Sequence, residues 1–219
     1  MEHGIEINDL VYSPDGAYLA SSGIDGVLIV WDAGTGEQLA RKEIGGELYG
    51  MAFNPSGNVL AAAHPNGTVL LFEPSSLEEL LVLSGHTAGV NKVAFSPDGT
   101  RLASAGLDST AREWDIGPSH ELLTITDEGG PLRVAYSPDG QYLATTNYAG
   151  SVTLWDAKTG ELIWQLFDHL QLRQLQEQAQ LLSPGDPLFC TSPFHAVRHK
   201  GGCKRIFFTR PARIPITPQ

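Results

Sequence analysis

The sequence predicts an all-β protein made of four repeated units, each with four strands. The turn Ser13-Pro14-Asp15-Gly16 recurs unchanged at positions 96–99 and 137–140 and as Asn-Pro-Ser-Gly at 54–57, so that the copies lie 41 or 42 residues apart. An aromatic residue followed by an acidic residue keeps the same spacing. These pairs are Trp31-Asp32, Phe72-Glu73, Trp114-Asp115 and Trp155-Asp156. Short apolar runs between turn formers indicate strands, and self-similarity at this period is typical of repeat architectures.

The first unit illustrates why each element is expected. Residues 10–12 form an apolar run, and the Ser-Pro-Asp-Gly turn ends it, since Pro presets φ at the second turn position and Gly suits the fourth. Residues 19–21 and 27–30 supply the second and third strands. The turn Gly34-Thr35-Gly36 then leads into a fourth strand that begins near Gln38. Four strands in about 41 residues are typical of one blade of a β-propeller.

These motifs resemble the WD-repeat β-propeller family over about residues 3–167. The third unit is the fullest match, with Gly85-His86, the turn at 96–99, Ser104, Asp108 and Trp114-Asp115. The resemblance implies blades at about residues 3–43, 44–84, 85–126 and 127–167. Rings of this family usually have about seven blades, so four blades predict a partial or open propeller.

In the family, a histidine, a serine or threonine, an aspartate and a tryptophan form a hydrogen-bonded tetrad within a blade. The resemblance assigns two such tetrads here: His3, Ser21, Asp25 and Trp31, and His86, Ser104, Asp108 and Trp114. Serine, histidine and aspartate also form the catalytic triad of hydrolases. Catalysis needs such a site only once, whereas a scaffold needs one set in each blade, so the duplication favours a structural role. Blades two and four depart from the pattern and are expected to be looser. Their equivalent residues are Ile44, Ala62, Asn66 and Phe72, and Asp127, Thr145, Ala149 and Trp155.

Family members usually meet their partners on one face, which is built from the segments before the first strand and after the second. The resemblance implies a partner-binding face here that combines aromatic, aliphatic and polar residues, a mixture typical of protein recognition. Its expected members are Glu6, Asn8, Ile24, Glu47, Tyr49, Pro65, Asn91, Leu107, Leu132 and Tyr148.

Charge is distributed unevenly along the chain, whose net charge is −11. Residues 1–167 hold 7 Lys and Arg against 22 Asp and Glu, a net charge of −15, while residues 168–219 hold 7 against 3, a net charge of +4. An acidic protein is poorly suited to phosphate backbones and anionic lipid, so nucleic acid and membranes are not expected as main partners. The absence of a leader or spanning segment and the two late cysteines predict a cytoplasmic protein.

The region after the blades lacks the repeat. Residues 168–183 have the spacing of an amphipathic helix, which would dock on blade four or pair in a coiled coil. Residues 184–219 form a basic, proline-containing tail that is expected to be disordered, with folding back onto the acidic blades or binding to single-stranded nucleic acid as alternatives. Because the sign of the charge and the repeat both change at about residue 168, the tail could also have been joined to the blades through a frameshift or a fusion.

Four side chains in the tail belong to the types that bind zinc: Cys190, His195, His199 and Cys203. Their spacing matches no strong zinc motif, and reduced, exposed thiols are the alternative. The repeated turn aspartates, Asp15, Asp98 and Asp139, could also be metal ligands, but each is expected to cap the backbone of its own turn. We therefore expect neither a metal nor another cofactor.

The sequence as a whole predicts a non-catalytic scaffold that binds a protein or peptide. One alternative is a C-terminal sensor or regulatory segment of a larger multidomain enzyme or signalling regulator. A hydrolase using Ser104, His86 and Asp108 is the weakest, because no nucleophile elbow or phosphate loop supports it. Three explanations of the open ring remain: a piece of a longer protein, which the sequence favours, a homodimer with about eight blades, or an open arc.

Overall fold

A computed structural model describes residues 3–4, 6–117, 120–127, 129–166, 197–199 and 202–203. It contains four antiparallel sheets whose first four strands follow one another in chain order, which confirms the all-β, four-bladed prediction. Blade one contains β1 (Ile7–Tyr12), β2 (Tyr18–Gly23), β3 (Val27–Asp32) and β4 (Gln38–Glu43). Blade two contains β5 (Met51–Phe53), β6 (Leu60–Ala63), β7 (Thr68–Phe72) and β8 (Glu79–Ser84). Blade three contains β9 (Val90–Phe95), β10 (Arg101–Gly106), β11 (Thr110–Asp115) and β12 (His120–Thr126). Blade four contains β13 (Pro131–Tyr136), β14 (Tyr142–Asn147), β15 (Val152–Asp156) and β16 (Leu162–Leu166).

Two further strands differ from the prediction of an irregular tail. β17 (Val197–His199) pairs antiparallel with β16, and β18 (Gly202–Cys203) pairs with β17, so the fourth sheet has six strands. The physical reason is that an outermost strand carries unpaired backbone groups that can accept another strand. The predicted helix at residues 168–183 lies outside the described residues, and the residues that are described contain no helix.

Each blade has two faces of different character. The aromatic face carries the third-strand aromatic residue, which is Trp31, Phe72, Trp114 or Trp155. The alanine face carries the second-strand alanine, which is Ala20, Ala61, Ala103 or Ala144. Residues directly opposite each other on paired strands share a face. Tyr12, Leu19 and Trp31 therefore share the aromatic face of blade one, and Val11, Ala20 and Val30 share its alanine face.

The core lies between consecutive blades, where an aromatic face covers the preceding alanine face. Ala20 and Val30 of blade one cluster with Leu60 and Phe72 of blade two. The same arrangement recurs between blades two and three, and again between blades three and four. Burying a leucine or phenylalanine side chain contributes about 1.5–3 kcal/mol, so these three interfaces hold most of the apolar stabilisation. The described blades form an open arc, because the aromatic face of blade one carries the exposed residues Leu10 and Tyr12.

The repeated turn after the first strand also joins neighbouring blades. In blade one, the Ser13 hydroxyl donates to Asp15 and accepts from the Tyr18 N–H, and Gly16 adopts a φ of 73°. The glycine of each later turn rests against the turn proline of the preceding blade. A Cβ on Gly99 would lie 3.3 Å from Cδ of Pro55. The turn therefore sets the strand register within a blade and the spacing between blades.

One lysine crosses the inner strands of three blades. The Lys92 ammonium on β9 donates to Asp9 on β1 at 2.6 Å and to the Met51 carbonyl on β5 at 3.2 Å. Asp9 also accepts from the Met51 N–H at 2.7 Å. Gly50 makes room for this side chain, since a Cβ there would lie 2.4 Å from Cδ of Lys92. We call this set the inner-strand bridge.

A buried carboxylate joins blades three and four. Glu113 lies on the alanine face of blade three and is only 3% exposed. It accepts hydrogen bonds from Arg101 at 2.9 Å and from the Tyr136 hydroxyl of blade four at 2.5 Å. Burial raises the pKa of Tyr136, and the Glu113 carboxylate raises it further, so the phenol stays protonated as the donor. The carboxylate is thus neutralised by Arg101 and oriented by Tyr136.

We expect Tyr136→Phe to lower the free energy of unfolding by about 1–3 kcal/mol, because one hydrogen bond to a buried carboxylate disappears. Tyr142→Phe is the matched control in the same blade, since its hydroxyl makes no hydrogen bond within the described residues. Urea unfolding monitored by circular dichroism measures both variants. Equal losses in the two would contradict a specific role for the Tyr136 hydroxyl.

Candidate functional site

Blade three contains the complete set of four polar side chains that the sequence assigned to it. The Trp114 indole N–H donates to Ser104 Oγ at 2.9 Å, and Ser104 Oγ lies 2.7 Å from His86 Nε2. On the other side of the ring, His86 Nδ1 lies 3.0 Å from both Asp108 oxygens. Asp108 also accepts from the Thr87 N–H and the Thr110 hydroxyl. The chain of hydrogen bonds therefore runs from the third strand to the loop before the first strand.

The protonation states in this network follow from its burial. Burial lowers the pKa of His86 below its ordinary value, although Asp108 opposes the shift. Burial alone would raise the pKa of Asp108, but hydrogen bonds from Thr110, Thr87 and His86 lower it to about 2. A neutral imidazole then donates from Nδ1 to the carboxylate and accepts the Ser104 proton at Nε2. Each polar atom in the set has a partner, which is what a buried network requires.

Blade one repeats the arrangement with His3. His3 Nε2 lies 2.8 Å from Ser21 Oγ, and its Nδ1 lies 3.3 Å from Asp25. The Trp31 indole donates to the same serine oxygen at 2.9 Å. Ser21 is 2% exposed and Ser104 is fully buried, so neither hydroxyl can meet a substrate carbonyl. This geometry suits support of a blade and opposes nucleophilic catalysis.

Blades two and four have other residues in place of the histidine tetrad. In blade two, Ala62 and Phe72 are fully buried and pack in the apolar cluster with blade one. In blade four, Asp127 replaces the histidine and accepts from Thr145 at 2.8 Å, while Trp155 donates to Thr145 at 2.9 Å. Asn147 completes this network by donating to Asp127 at 2.7 Å. The sequence analysis missed Asn147 because it lies two positions before the expected loop residue, Ala149.

The positions of the expected partner-binding face share one end of the blades. In blade one, the start of β1 pairs with the end of β2, so Glu6 and Ile24 lie at the same sheet end. Blade four has the same register, which places Leu132 and Tyr148 together. Between blades two and three, a Cβ on Gly89 would lie 3.5 Å from Leu107 Cδ1 and 3.1 Å from the Pro65 carbonyl.

Two members of this set already have a role inside the protein. The Asn8 amide donates to the Leu48 carbonyl at 2.8 Å and to Glu47 at 3.1 Å. At the equivalent position, the Asn91 amide donates to the Pro131 carbonyl at 3.2 Å. Each asparagine therefore ties its blade to the next one, and its amide hydrogens are less available to a partner.

The remaining residues of the set include two phenols and two carboxylates. The Tyr49 hydroxyl donates to Glu47 at 3.4 Å. Burial raises the pKa of Tyr49, and the negative charge of Glu47 raises it further. Tyr148 is 64% exposed, Leu107 44% and Ile24 37%. Protein-binding surfaces typically combine aromatic and apolar side chains at the centre with a polar rim.

The described residues contain no group of three His, Cys, Asp or Glu side chains placed to hold a metal ion. The turn aspartates bind their own backbone; for example, Asp15 accepts from the Ala17 N–H at 3.0 Å. Of the zinc candidates, Cys190 and His195 lie outside the described residues. His199 and Cys203 belong to β17 and β18. Within the described ranges, no helix is long and apolar enough to cross a membrane.

We expect His86→Ala to destabilise the protein by about 2–3 kcal/mol, because Ser104 and Asp108 would each lose a buried hydrogen bond. This corresponds to a decrease of roughly 5–10 °C in melting temperature. His64→Ala is the control, since His64 is half-buried and its two hydrogen bonds, to the Gly45 carbonyl and from the Asn66 N–H, are exposed. A thermal scan in which the two variants shift equally would contradict the assigned role.

The lowered pKa of His86 predicts how stability depends on pH. Below its ordinary pKa of 6.5, the unfolded chain binds a proton at His86 that the folded chain does not, so stability decreases on acidification. The slope from this residue is at most about 1.4 kcal/mol per pH unit. Thermal melts at pH 7 and pH 5 should differ more for the wild type than for His86→Ala. An equal difference would show that the pH dependence originates elsewhere.

Comparison with known proteins agrees with this geometry. The family model described as "WD domain, G-beta repeat" matches residues 1–32, 77–115 and 121–156. The meiotic recombination protein rec14 of Schizosaccharomyces pombe is 32% identical over 117 residues, covering 52% of this chain and 38% of that protein. The small ribosomal subunit protein RACK1 of Glycine max is 33% identical over 132 residues, covering 52% and 41%.

A third relative is the THO complex subunit 3 of Arabidopsis thaliana, which is 32% identical over 130 residues, covering 59% of this chain and 41% of that protein. The chain spans about two fifths of the length of these relatives. The three matched regions contain the turns at 13–16, 96–99 and 137–140 and the pairs Trp31-Asp32, Trp114-Asp115 and Trp155-Asp156. The chain therefore belongs to the WD-repeat family of β-propeller proteins.

Proposed function

We propose that this protein is a non-catalytic scaffold that binds a protein or peptide on the face carrying Tyr49 and Tyr148. The observation that carries the proposal is the set of exposed side chains of Ile24, Leu107 and Tyr148, together with the Tyr49 hydroxyl that donates to Glu47. Tyrosine supplies a large contact area at a low cost in side-chain entropy, which makes it a frequent energetic centre of interfaces. The burial of both tetrad serines supports a role without chemistry.

Charge favours a basic partner. Residues 1–167 carry a net charge of −15, and the binding face itself holds Glu6 and Glu47. A basic protein or peptide would be attracted to this region, whereas nucleic acid and anionic membranes would be repelled. The cytoplasm, where the sequence analysis places the protein, is the compartment in which we expect this binding.

The names of two relatives support a role in assemblies. One is named as a subunit of the THO complex and another as a protein of the small ribosomal subunit. By analogy, we place this chain in a multi-protein assembly whose other members are unknown. A fold shared with them does not by itself transfer a partner.

We expect the double variant Tyr49→Ala with Tyr148→Ala to lose its captured partner while keeping its fold. Loss of two central aromatic residues should weaken binding by at least about tenfold, because each typically contributes about 2 kcal/mol or more. Affinity capture followed by mass spectrometry identifies the partner in the wild type, and titration with that purified partner measures the loss. Circular dichroism checks the fold.

The matched control is Leu80→Ala with Leu122→Ala. Both residues are exposed but lie on the outer strands β8 and β12, away from the proposed face. This control should retain the partner. Equal recovery of the partner by the wild type and the tyrosine variant would contradict the proposed face.

A further inference from the structure

Two blade faces at the ends of the arc are only partly covered. On the aromatic face of blade one, Val27 and Ile29 of the third strand are buried, whereas Leu10 and Tyr12 of the first strand are exposed. Within the arc, each aromatic face covers the preceding alanine face, and this contact occurs three times. The aromatic face of blade one and the alanine face of blade four are the two faces without such a neighbour among the described residues. They are the opposite halves of the same type of interface.

The open aromatic face has the composition of a buried one. Leu10 is 55% exposed, whereas the residues at its register position in the later blades are between 1% and 5% exposed. Those residues are Met51, Val93 and Val134. Tyr12 is 64% exposed, although its counterparts Phe53, Phe95 and Tyr136 are half-buried. Blade one thus exposes apolar side chains that its sisters bury.

The open alanine face shows the same difference. Ala144 and Leu154 are half-buried in blade four, whereas Ala20, Ala61 and Ala103 are fully buried in the other three. Val152 is 38% exposed, while its register counterparts Leu28, Val69 and Ala111 are at most 1% exposed. The surface therefore retains the small and branched side chains on which an aromatic face is seated elsewhere.

The repeated turns have matching open ends as well. Within the arc, the turn glycines Gly57, Gly99 and Gly140 lie close to the turn prolines Pro14, Pro55 and Pro97 of the preceding blades. Gly16 of blade one has no atom within 4 Å of its Cβ position, and Pro138 of blade four is exposed. The missing contact would join these two residues.

We infer that two copies of this chain associate head to tail, each seating the aromatic face of its blade one on the alanine face of the other copy's blade four. A single partner copy would cover both faces, and each new contact would be the packing of an aromatic face on an alanine face that occurs three times within the chain. The product is a closed ring of eight blades with two-fold symmetry, which lies within the range of propeller sizes. This association does not depend on the partner-binding face at the Tyr49 and Tyr148 end.

The test uses opposite charges on the two faces. Leu10→Lys and Val152→Glu each place one charge on an open face, and light scattering after size-exclusion chromatography measures mass. We expect the wild type to have twice the 23.6 kDa mass of the chain, and each variant alone to have the mass of one chain. A mixture of the two variants should recover the dimer, because one interface then pairs Lys with Glu and the other is wild type. Leu80→Lys, on the outer strand of blade two, is the control and should stay dimeric.

Several results would overturn the inference. A monomeric wild type at micromolar concentration would mean that something else covers the faces, such as another segment or another protein. Dimers that persist in both single variants, or a mixture that stays monomeric, would exclude these faces, and open polymers would exclude a closed ring. Tyr12→Lys replaces Leu10→Lys if circular dichroism shows that the latter does not fold. Partner capture distinguishes this inference from the proposed function. Leu10→Lys and Val152→Glu should each lose dimerisation but still capture the partner.

Discussion

The architecture depends on one constraint: a blade has two apolar faces, and neither can be buried within the blade itself. A four-stranded sheet of this kind becomes stable only when its aromatic face covers the alanine face of a neighbour. The polar contacts between blades are arranged around this packing. Asn8 and Asn91 tie the blades at one end, the turn prolines and glycines meet at the other end, and Glu113 occupies the middle of one interface. Stability is therefore shared between neighbours, and the end blades have less of it.

Sequence periodicity predicts those features that recur in every blade. The turns, the third-strand aromatic residues and the membership of both histidine tetrads follow from spacing together with the family resemblance. Contacts between blades are not predicted, because they depend on how neighbouring sheets are rotated against each other. Tyr136 and Glu113 are 23 residues apart and belong to no repeated pattern. The Asp127, Thr145 and Asn147 network escapes prediction because the blade keeps the function of the tetrad while changing both its residue types and their spacing.

The proposed binding face illustrates a limit of arguing from equivalent positions. Asn8, Tyr49, Asn91 and Leu132 occupy the same place in successive blades. Two of them, Asn8 and Asn91, bond to the next blade, and Leu132 is half-buried, whereas Tyr49 extends towards Glu47. Position in the repeat determines where a side chain lies, but the residue type determines whether it bonds to the next blade. The proposed binding face therefore has fewer available positions than the periodic set implies.

The inner-strand bridge has a consequence for the order of folding during synthesis. Most contacts in the arc join residues within one blade or between adjacent blades, so they become available as each unit leaves the ribosome. The ion pair of Asp9 with Lys92 spans 83 residues, and Asp9 must wait for the third blade before its charge is matched. Contacts between distant residues form slowly, because closing a long loop costs entropy before any contact is gained. A nascent chain with two blades can already form the apolar contact between them, and arrival of the third blade adds the ion pair that links the first and third blades.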